Sequence, residues 1–176
     1  MSLSKIIFRD LNLSDEYENN FVAKVHTILG WKNSDNFTPD DLIDFKQWKS
    51  SLNFLESIVN NSKIILAIEG NNIIGVQWAQ IQNTHDLNSH MIWVEKKYRN
   101  KGVAQKLRKK TYEWGILNGA QYFISSTKEN NIVMQNHNLK LGFKFEYKEV
   151  RGDDTYYVYK KKLKKSGSPV GGGVRS

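Results

Sequence analysis

Val94-Glu95-Lys96-Lys97-Tyr98-Arg99-Asn100-Lys101-Gly102-Val103-Ala104-Gln105 is the stretch from which the chain is best read. A β-rich run ends at Val94, a short polar and basic loop follows, and a helical pattern opens directly after Gly102. A helix that starts this way presents N–H groups with no partner inside the helix, and they can point at phosphate oxygens. Glycine at position 102 lets the backbone approach a ligand closely. Ala104 keeps that approach open, and Arg99 and Lys101 add positive charge. The same stretch is also compatible with an ordinary strand-to-helix turn in which Gly102 serves only its own dihedral angles.

Working outward, the hydrophobic period alternates between that of strands and that of helices. Lys5–Leu11 is a short strand. Ser14 is placed as the cap of a helix with Asp15 and Glu16 in its first turn, where acids favour the positive end of the dipole. Phe21, Val25, Ile28 and Leu29 form its stripe, and Gly30 ends it. Thr38-Pro39 opens a second helix with Leu42, Phe45, Trp48, Leu52, Leu55 and Val59 on one side. Lys63–Glu69 and Ile73–Gln82 read as a hairpin around Gly70-Asn71-Asn72. Asn83–Ser89 is a polar loop, and His90–Lys96 is a further strand. Val103 to about Leu117 is a helix whose buried side carries Val103, Leu107, Trp114 and Leu117. Gln121–Thr127 is a strand, Asn131 starts a short helix that ends at Gly142, and Phe143–Val150 with Thr155–Tyr159 close the chain as a hairpin around Gly152-Asp153. The order is β-α-α-β-β-β-α-β-α-β-β. It predicts an α/β single domain over residues 1–165 with a mixed, largely antiparallel sheet flanked by helices. Residues 166–176, SGSPVGGGVRS, read as a flexible tail or expression scar.

Composition removes several classes of chemistry. The chain has 176 residues, no cysteine and four histidines (His26, His85, His90, His137) without paired metal-ligand spacing, so no metal is expected. The net charge is +8, but the first 159 residues hold 20 of the 26 basic residues and all 18 acids. The excess therefore sits in Lys160, Lys161, Lys162, Lys164, Lys165 and Arg175, and a run of this kind reads as a solvated strand end or tail. Nucleic acid is not an expected partner. No apolar run approaches the length of a membrane span, and the N-terminus lacks a signal-peptide core, so no membrane is expected and the expected location is cytoplasmic.

Arg99-x-x-Gly102-x-Ala104 matches the (Arg/Gln)-x-x-Gly-x-(Gly/Ala) signature of the GNAT acyltransferase superfamily. Asn131-Ile-Val-Met-Gln-Asn-His-Asn-Leu-Lys-Leu-Gly142-Phe143 is similar to the family's second motif, an Asn followed by a short helix and Leu-Gly-Phe. Each pattern is loose, and their joint occurrence at this separation is far more specific. The element order resembles the GNAT order over roughly residues 5–160. The resemblance implies acetyl-CoA or a related acyl-CoA as cosubstrate. The backbone of Ile92, Trp93 and Val94 would hold the pantetheine arm. Arg99, Asn100, Lys101, Gly102, Val103, Ala104 and Gln105 would surround the pyrophosphate. Asn131 would touch the cofactor from the far side, or cap its helix, or both. One departure stands out. Many family members carry a Tyr five residues before the Phe of the second motif, as general acid to the leaving thiolate, and here that position is Asn138.

An attacking amine must also lose a proton. Some GNAT members with aromatic-amine substrates place a His where this chain has His90, which is the candidate base; a plain role at a strand start is the alternative. Alternation puts His90, Ile92 and Val94 on one strand face and Glu95 on the other. Glu95 reads as solvated, and His137 as packing or exposed. Trp31, Phe37, Phe45 and Trp48 are core residues or walls of an acceptor pocket. Tyr156, Tyr157 and Tyr159 read as sheet packing. The function these readings imply is transfer of an acetyl group to a primary amine in a ternary complex. A non-catalytic acyl-CoA-binding module is the alternative, and the oligomeric state is open.

Overall fold

The computed structural model describes residues 5–31, 61–82 and 85–164. The second helix expected from Thr38 onward, the aromatics Phe37, Phe45 and Trp48, and the segment 166–176 lie outside the described residues; so do the side chains of Ile28, Leu29 and Trp31.

The described elements are strands β1 (Ile6–Asp10), β2 (Ser62–Glu69), β3 (Asn72–Gln82), β4 (Asp86–Val94), β5 (Tyr122–Lys128), β6 (Lys144–Arg151) and β7 (Asp154–Lys162), with helices α1 (Glu16–Trp31), α2 (Val103–Leu117) and α3 (Ile132–Lys140). The strands form one sheet in the order β1-β2-β3-β4-β5-β7-β6. Every neighbouring pair is antiparallel except β4–β5, which is parallel. The mixed, largely antiparallel sheet flanked by helices is the architecture the sequence predicts.

Apolar side chains of alternate strand positions bury on both faces. On one face Val22 and Val25 of α1 pack against Leu66, Val76, Trp78 and Met91. On the other, Val103 and Leu107 of α2 pack against Ile65, Ala67, Ile74 and Val94. A third cluster joins Leu87, Ala120, Phe123, Phe143 and Tyr159 beneath the C-terminal half of α2. Gly115 permits that last approach, because a Cβ there would stand 2.6 Å from Leu87 Cδ2. Each fully buried Val, Leu or Phe contributes about 1.5–3 kcal/mol.

Four expectations shift. Asp15, not Ser14, caps α1: its Oδ1 accepts the Glu18 N–H at 3.0 Å, while the Ser14 N–H is spent on Asn12 Oδ1. Leu117 is 85 % exposed, and the buried stripe of α2 is Val103, Leu107, Arg108, Thr111 and Gly115. β4 begins at Asp86, four residues before the expected strand, because the polar Asp86, Asn88 and Ser89 are pinned by partners on β3 and β5. Lys160, Lys161 and Lys162 belong to β7, where Lys161 Nζ donates to the Leu141 carbonyl at 2.5 Å. Among the described residues no helix is long and apolar enough to cross a membrane, and no three His, Cys, Asp or Glu side chains gather as a metal site.

Candidate active site

The site is built where β4 leaves β5. The two strands pair only from Asp86↔Tyr122 to Ser89↔Ser125. Beyond that point, among the described residues, Met91–Val94 pair with β3 only. At the same place the β3–β4 register slips: Trp78 faces Met91 and Ala79 faces Ser89, so His90 is an extra residue, a β-bulge. A bulge bends its strand, and here it coincides with the opening of the sheet.

The opening leaves backbone groups at its edge. The Glu95 N–H bonds to the Ile74 carbonyl at 2.9 Å. In an antiparallel ladder alternate residues turn their polar groups to the same neighbour, so Trp93 is directed to β3, whereas Ile92 and Val94 turn theirs into the opening. The Val94 carbonyl is held by Arg99 Nε at 3.0 Å. Arg99 therefore braces the loop as well as lending charge, and the Ile92 groups and the Val94 N–H are what the edge presents. The Trp93 side chain lies on the α1 face, edge-on to Phe21 with ring centroids 5.6 Å apart.

After Val94, a 3-10 turn over Lys96–Tyr98 leads into the loop. Tyr98 is anchored by its hydroxyl to the Glu69 carboxylate. That bond and partial burial push its phenol pKa above the ordinary value. Asn100 has φ +60° and Gly102 φ +80°. Two left-handed residues in three reverse the chain tightly enough to bring the loop amides and the start of α2 together. The first helical bond is Lys106 N–H to the Gly102 carbonyl at 3.0 Å, so the amides of Val103, Ala104 and Gln105 have no acceptor within the helix. No side chain caps α2, and its first turn holds no acid. A Cβ on Gly102 would have nothing within 4 Å. The space above the loop is open, and the conformation of Gly102 is the constraint on it inside the chain.

Across the opening, Asn131 caps α3, its Oδ1 accepting the Met134 N–H at 3.1 Å. One of its two readings is thus present in the fold. Asn138 is fully buried and committed to β5: its Nδ2 donates to Thr127 Oγ1 at 3.1 Å, and its Oδ1 accepts from Ser125 Oγ at 3.3 Å.

His90 is exposed and packs against Trp78 with the rings tilted by 40° and their centroids 5.0 Å apart. Trp78 belongs to the α1-side cluster and Val94 to the α2-side cluster. The expectation that His90 and Val94 share a face is therefore wrong; the extra residue in the bulge resets the alternation. His90 Nε2 lies 3.0 Å from Gln80 Oε1. That oxygen is an acceptor only, so Nε2 carries the proton and Nδ1 is the basic nitrogen of the neutral ring. Gln80 was not legible as a partner, since only the slipped register brings it beside His90. Glu95 lies 3.4 Å from Lys97. His137 is half-buried, and desolvation, aided by nearby Arg108, lowers its pKa.

A strand edge with turned-out amides, ending in an uncapped helix start, suits a ligand that carries an extended amide arm and a pyrophosphate. Comparison with known proteins gives the family. The sequence profile of the acetyltransferase (GNAT) family matches residues 22–143. The chain belongs to the GNAT acetyltransferase family. Solved acetyltransferase structures share its fold over nearly the whole length. An N-acetyltransferase from Staphylococcus aureus Mu50 superimposes with a TM-score of 0.69 at 13% identity, covering 91% of this chain and 99% of that one. An aminoglycoside 6'-N-acetyltransferase complexed with coenzyme A gives 0.67 at 14%, covering 92% and 99%. The yncA protein of Salmonella typhimurium, determined with its cofactor acetyl-CoA, gives 0.66 at 11%, covering 93% and 97%. A comparison with curated proteins finds no match.

Proposed function

We propose that this GNAT protein is an N-acyltransferase that uses acetyl-CoA and acetylates a primary amine by direct attack in a ternary complex. The observation that carries the reading is one juxtaposition: the β4 edge opens at the His90 bulge and leads, through the turn and loop over residues 95–102, to the uncapped start of α2. Acetyl-CoA would supply the activated acyl group as a thioester. Ile92 and the Val94 N–H would pair with its pantetheine arm as a neighbouring strand would. The amides from Asn100 to Gln105 would donate to the pyrophosphate, with Arg99 and Lys101 adding charge. Asn131 retains its Nδ2 for a contact from the far side while its Oδ1 caps α3.

For the reaction itself, the chain has to orient the acceptor, take its proton and stabilise charge on the acyl oxygen. An alkylamine has a pKa near about 10.4 and is mostly protonated at neutral pH. His90 Nδ1 would receive that proton directly or through a water, with Gln80 fixing the tautomer. Backbone N–H groups at the bulged end of the β4 edge would face the developing negative charge. The absence of cysteine is consistent with direct transfer rather than a thiol acyl-enzyme.

One observation favours a second reading. Asn138 has no useful acidity and both ends of its amide are occupied, which suits a module that binds acyl-CoA without turnover. An acceptor screen with acetyl-CoA separates the two. Time-dependent release of free thiol with at least one amine, antibiotic, amino acid or peptide is the result expected for the enzyme. Tight CoA binding with no release across the panel would favour the module.

A further inference from the structure

Among the described residues Arg108 is the largest fully buried side chain, 1 % exposed, and it is a cation on the buried side of α2. Its Nη2 reaches Met134 Sδ at 3.8 Å, a weak acceptor. Its Cζ lies 5.4 Å from the ring centre of Phe143 and 6.0 Å from that of Phe123. Nε and Nη1 are buried without a hydrogen-bond partner. Two further buried polar atoms in the same region also lack one: the Tyr112 hydroxyl and His137 Nε2. Burial lowers the Arg108 pKa; among the described residues the ionisable group that opposes this is the neighbouring Tyr112 hydroxyl, which lies close to the guanidinium without meeting hydrogen-bond geometry and whose own pKa burial raises. No carboxylate among the described residues pairs with Arg108. A second cation, Lys161, has its pKa lowered by burial and then by nearby Arg108, and it already spends a donor on the Leu141 carbonyl.

Such an arrangement is costly. An unpaired buried charge and several orphaned donors each oppose folding. Water would satisfy the donors but not the charge, and ring faces compensate a guanidinium only in part. A leucine would fill the same place on α2 without the penalty, as Leu107 does beside it.

We propose that Arg108, with the Tyr112 hydroxyl and His137 Nε2, forms a buried binding site for one small monovalent anion, a halide or a short carboxylate, lying between α2, α3, β5 and β7. A single charge matches the one guanidinium left without a polar acceptor. The aromatic and thioether walls (Phe123, Phe143, Met134) disfavour a larger and more strongly hydrated dianion. Neutral His137 can donate from Nε2 as one of its tautomers, and burial together with Arg108 favours the neutral ring. The site is separate from the loop over residues 99–105 and does not depend on the acyl-CoA reading.

The test is thermal denaturation of the full chain at fixed pH and fixed ionic strength, with sodium chloride, sodium formate and sodium acetate each titrated against sodium sulfate. The expected result is a saturable rise in melting temperature with at least one monovalent anion, about 5 °C or more at a hundredfold excess over its Kd. Arg108→Met should abolish the rise. Tyr112→Phe, which keeps the ring and removes one donor, should move the midpoint of the titration several-fold higher, and it covers the case in which Arg108→Met does not fold. Indifference of the unaltered protein to all three anions would overturn the proposal. So would an identical response in Arg108→Met, or, if that variant is unfolded, an identical midpoint in Tyr112→Phe.

Discussion

The starts of α1 and α2 lie on opposite faces of the same sheet and are built in opposite ways. The start of α1 is closed. Asp15 caps it, Glu16 and Glu18 occupy its first turn, and Glu18 is buried against the Asn12 N–H at 2.9 Å and the Arg9 guanidinium. The start of α2 has no cap and no acid; it has two left-handed residues, three amides without helical acceptors, and Arg99 and Lys101 beside them. A helix whose only duty is structural satisfies its own positive end. We read one that leaves that end bare, next to a strand edge that has parted from its neighbour, as arranged for an anion from outside the chain. The predictions below ask whether the two ends separate as this contrast requires: stability at α1, binding and turnover at the β4–α2 junction.

The largest effect belongs to His90. His90→Ala should lower turnover by about 10²–10⁴-fold while changing the acyl-CoA KM little. The acidic limb of the pH–rate profile, expected within the histidine range of about pH 5–8, should vanish with it. Steady-state rates and a melting curve on one sample decide; a folded variant with near-normal turnover and the same limb means His90 is not the base. Next in size is Lys101→Glu, which sets an acid beside the bare end of α2. Inverting one charge there should weaken CoA binding about 10-fold at low salt, and less at high salt, as read by calorimetric titration at two ionic strengths.

On the α1 side the effects should be smaller and purely structural. Asp15→Ala should cost about 1 kcal/mol, a few degrees in melting temperature, with CoA affinity unchanged; a loss of affinity would mean the two ends are coupled. The smallest effect is in pH. The hydrogen bond from Arg9, with burial opposing it, holds the Glu18 pKa below its ordinary 4.5. A depressed carboxylate stabilises the fold above its unfolded pKa, and that contribution is lost as pH falls through the folded value. The melting temperature should therefore drop more steeply below about pH 4.5 in the unaltered protein than in Glu18→Gln; parallel curves would show that Glu18 carries none of the acid response.

The sequence made the scaffold legible because hydrophobic period and turn residues survive translation into structure. Gly70, Gly142 and Gly152 all stand at positive φ where turns were expected. The loop around Gly102 was legible for the same reason. What stayed hidden depends on partners far along the chain. The slip that makes His90 a bulge is a property of β3–β4 pairing, and nothing within residues 86–94 announces it. Asp86, Asn88 and Ser89 look like loop because their polarity is local and their pairing is not. Nothing in the sequence around Arg108 marks it as interior; its burial comes from contacts with Met134 of α3 and Phe123 of β5.

The central claim is that the bare start of α2 is the pyrophosphate cradle. Calorimetric titration of CoA into the unaltered protein and into Gly102→Val tests it most directly. A valine there must adopt φ near +80°, which costs about 1–3 kcal/mol, and its side chain would enter the space the phosphates need. The account predicts measurable CoA binding to the unaltered protein and a loss of about 10²-fold or more in Gly102→Val, equivalent to two charge-assisted hydrogen bonds, with the variant still folded by circular dichroism. Equal affinity in a folded Gly102→Val protein would contradict it.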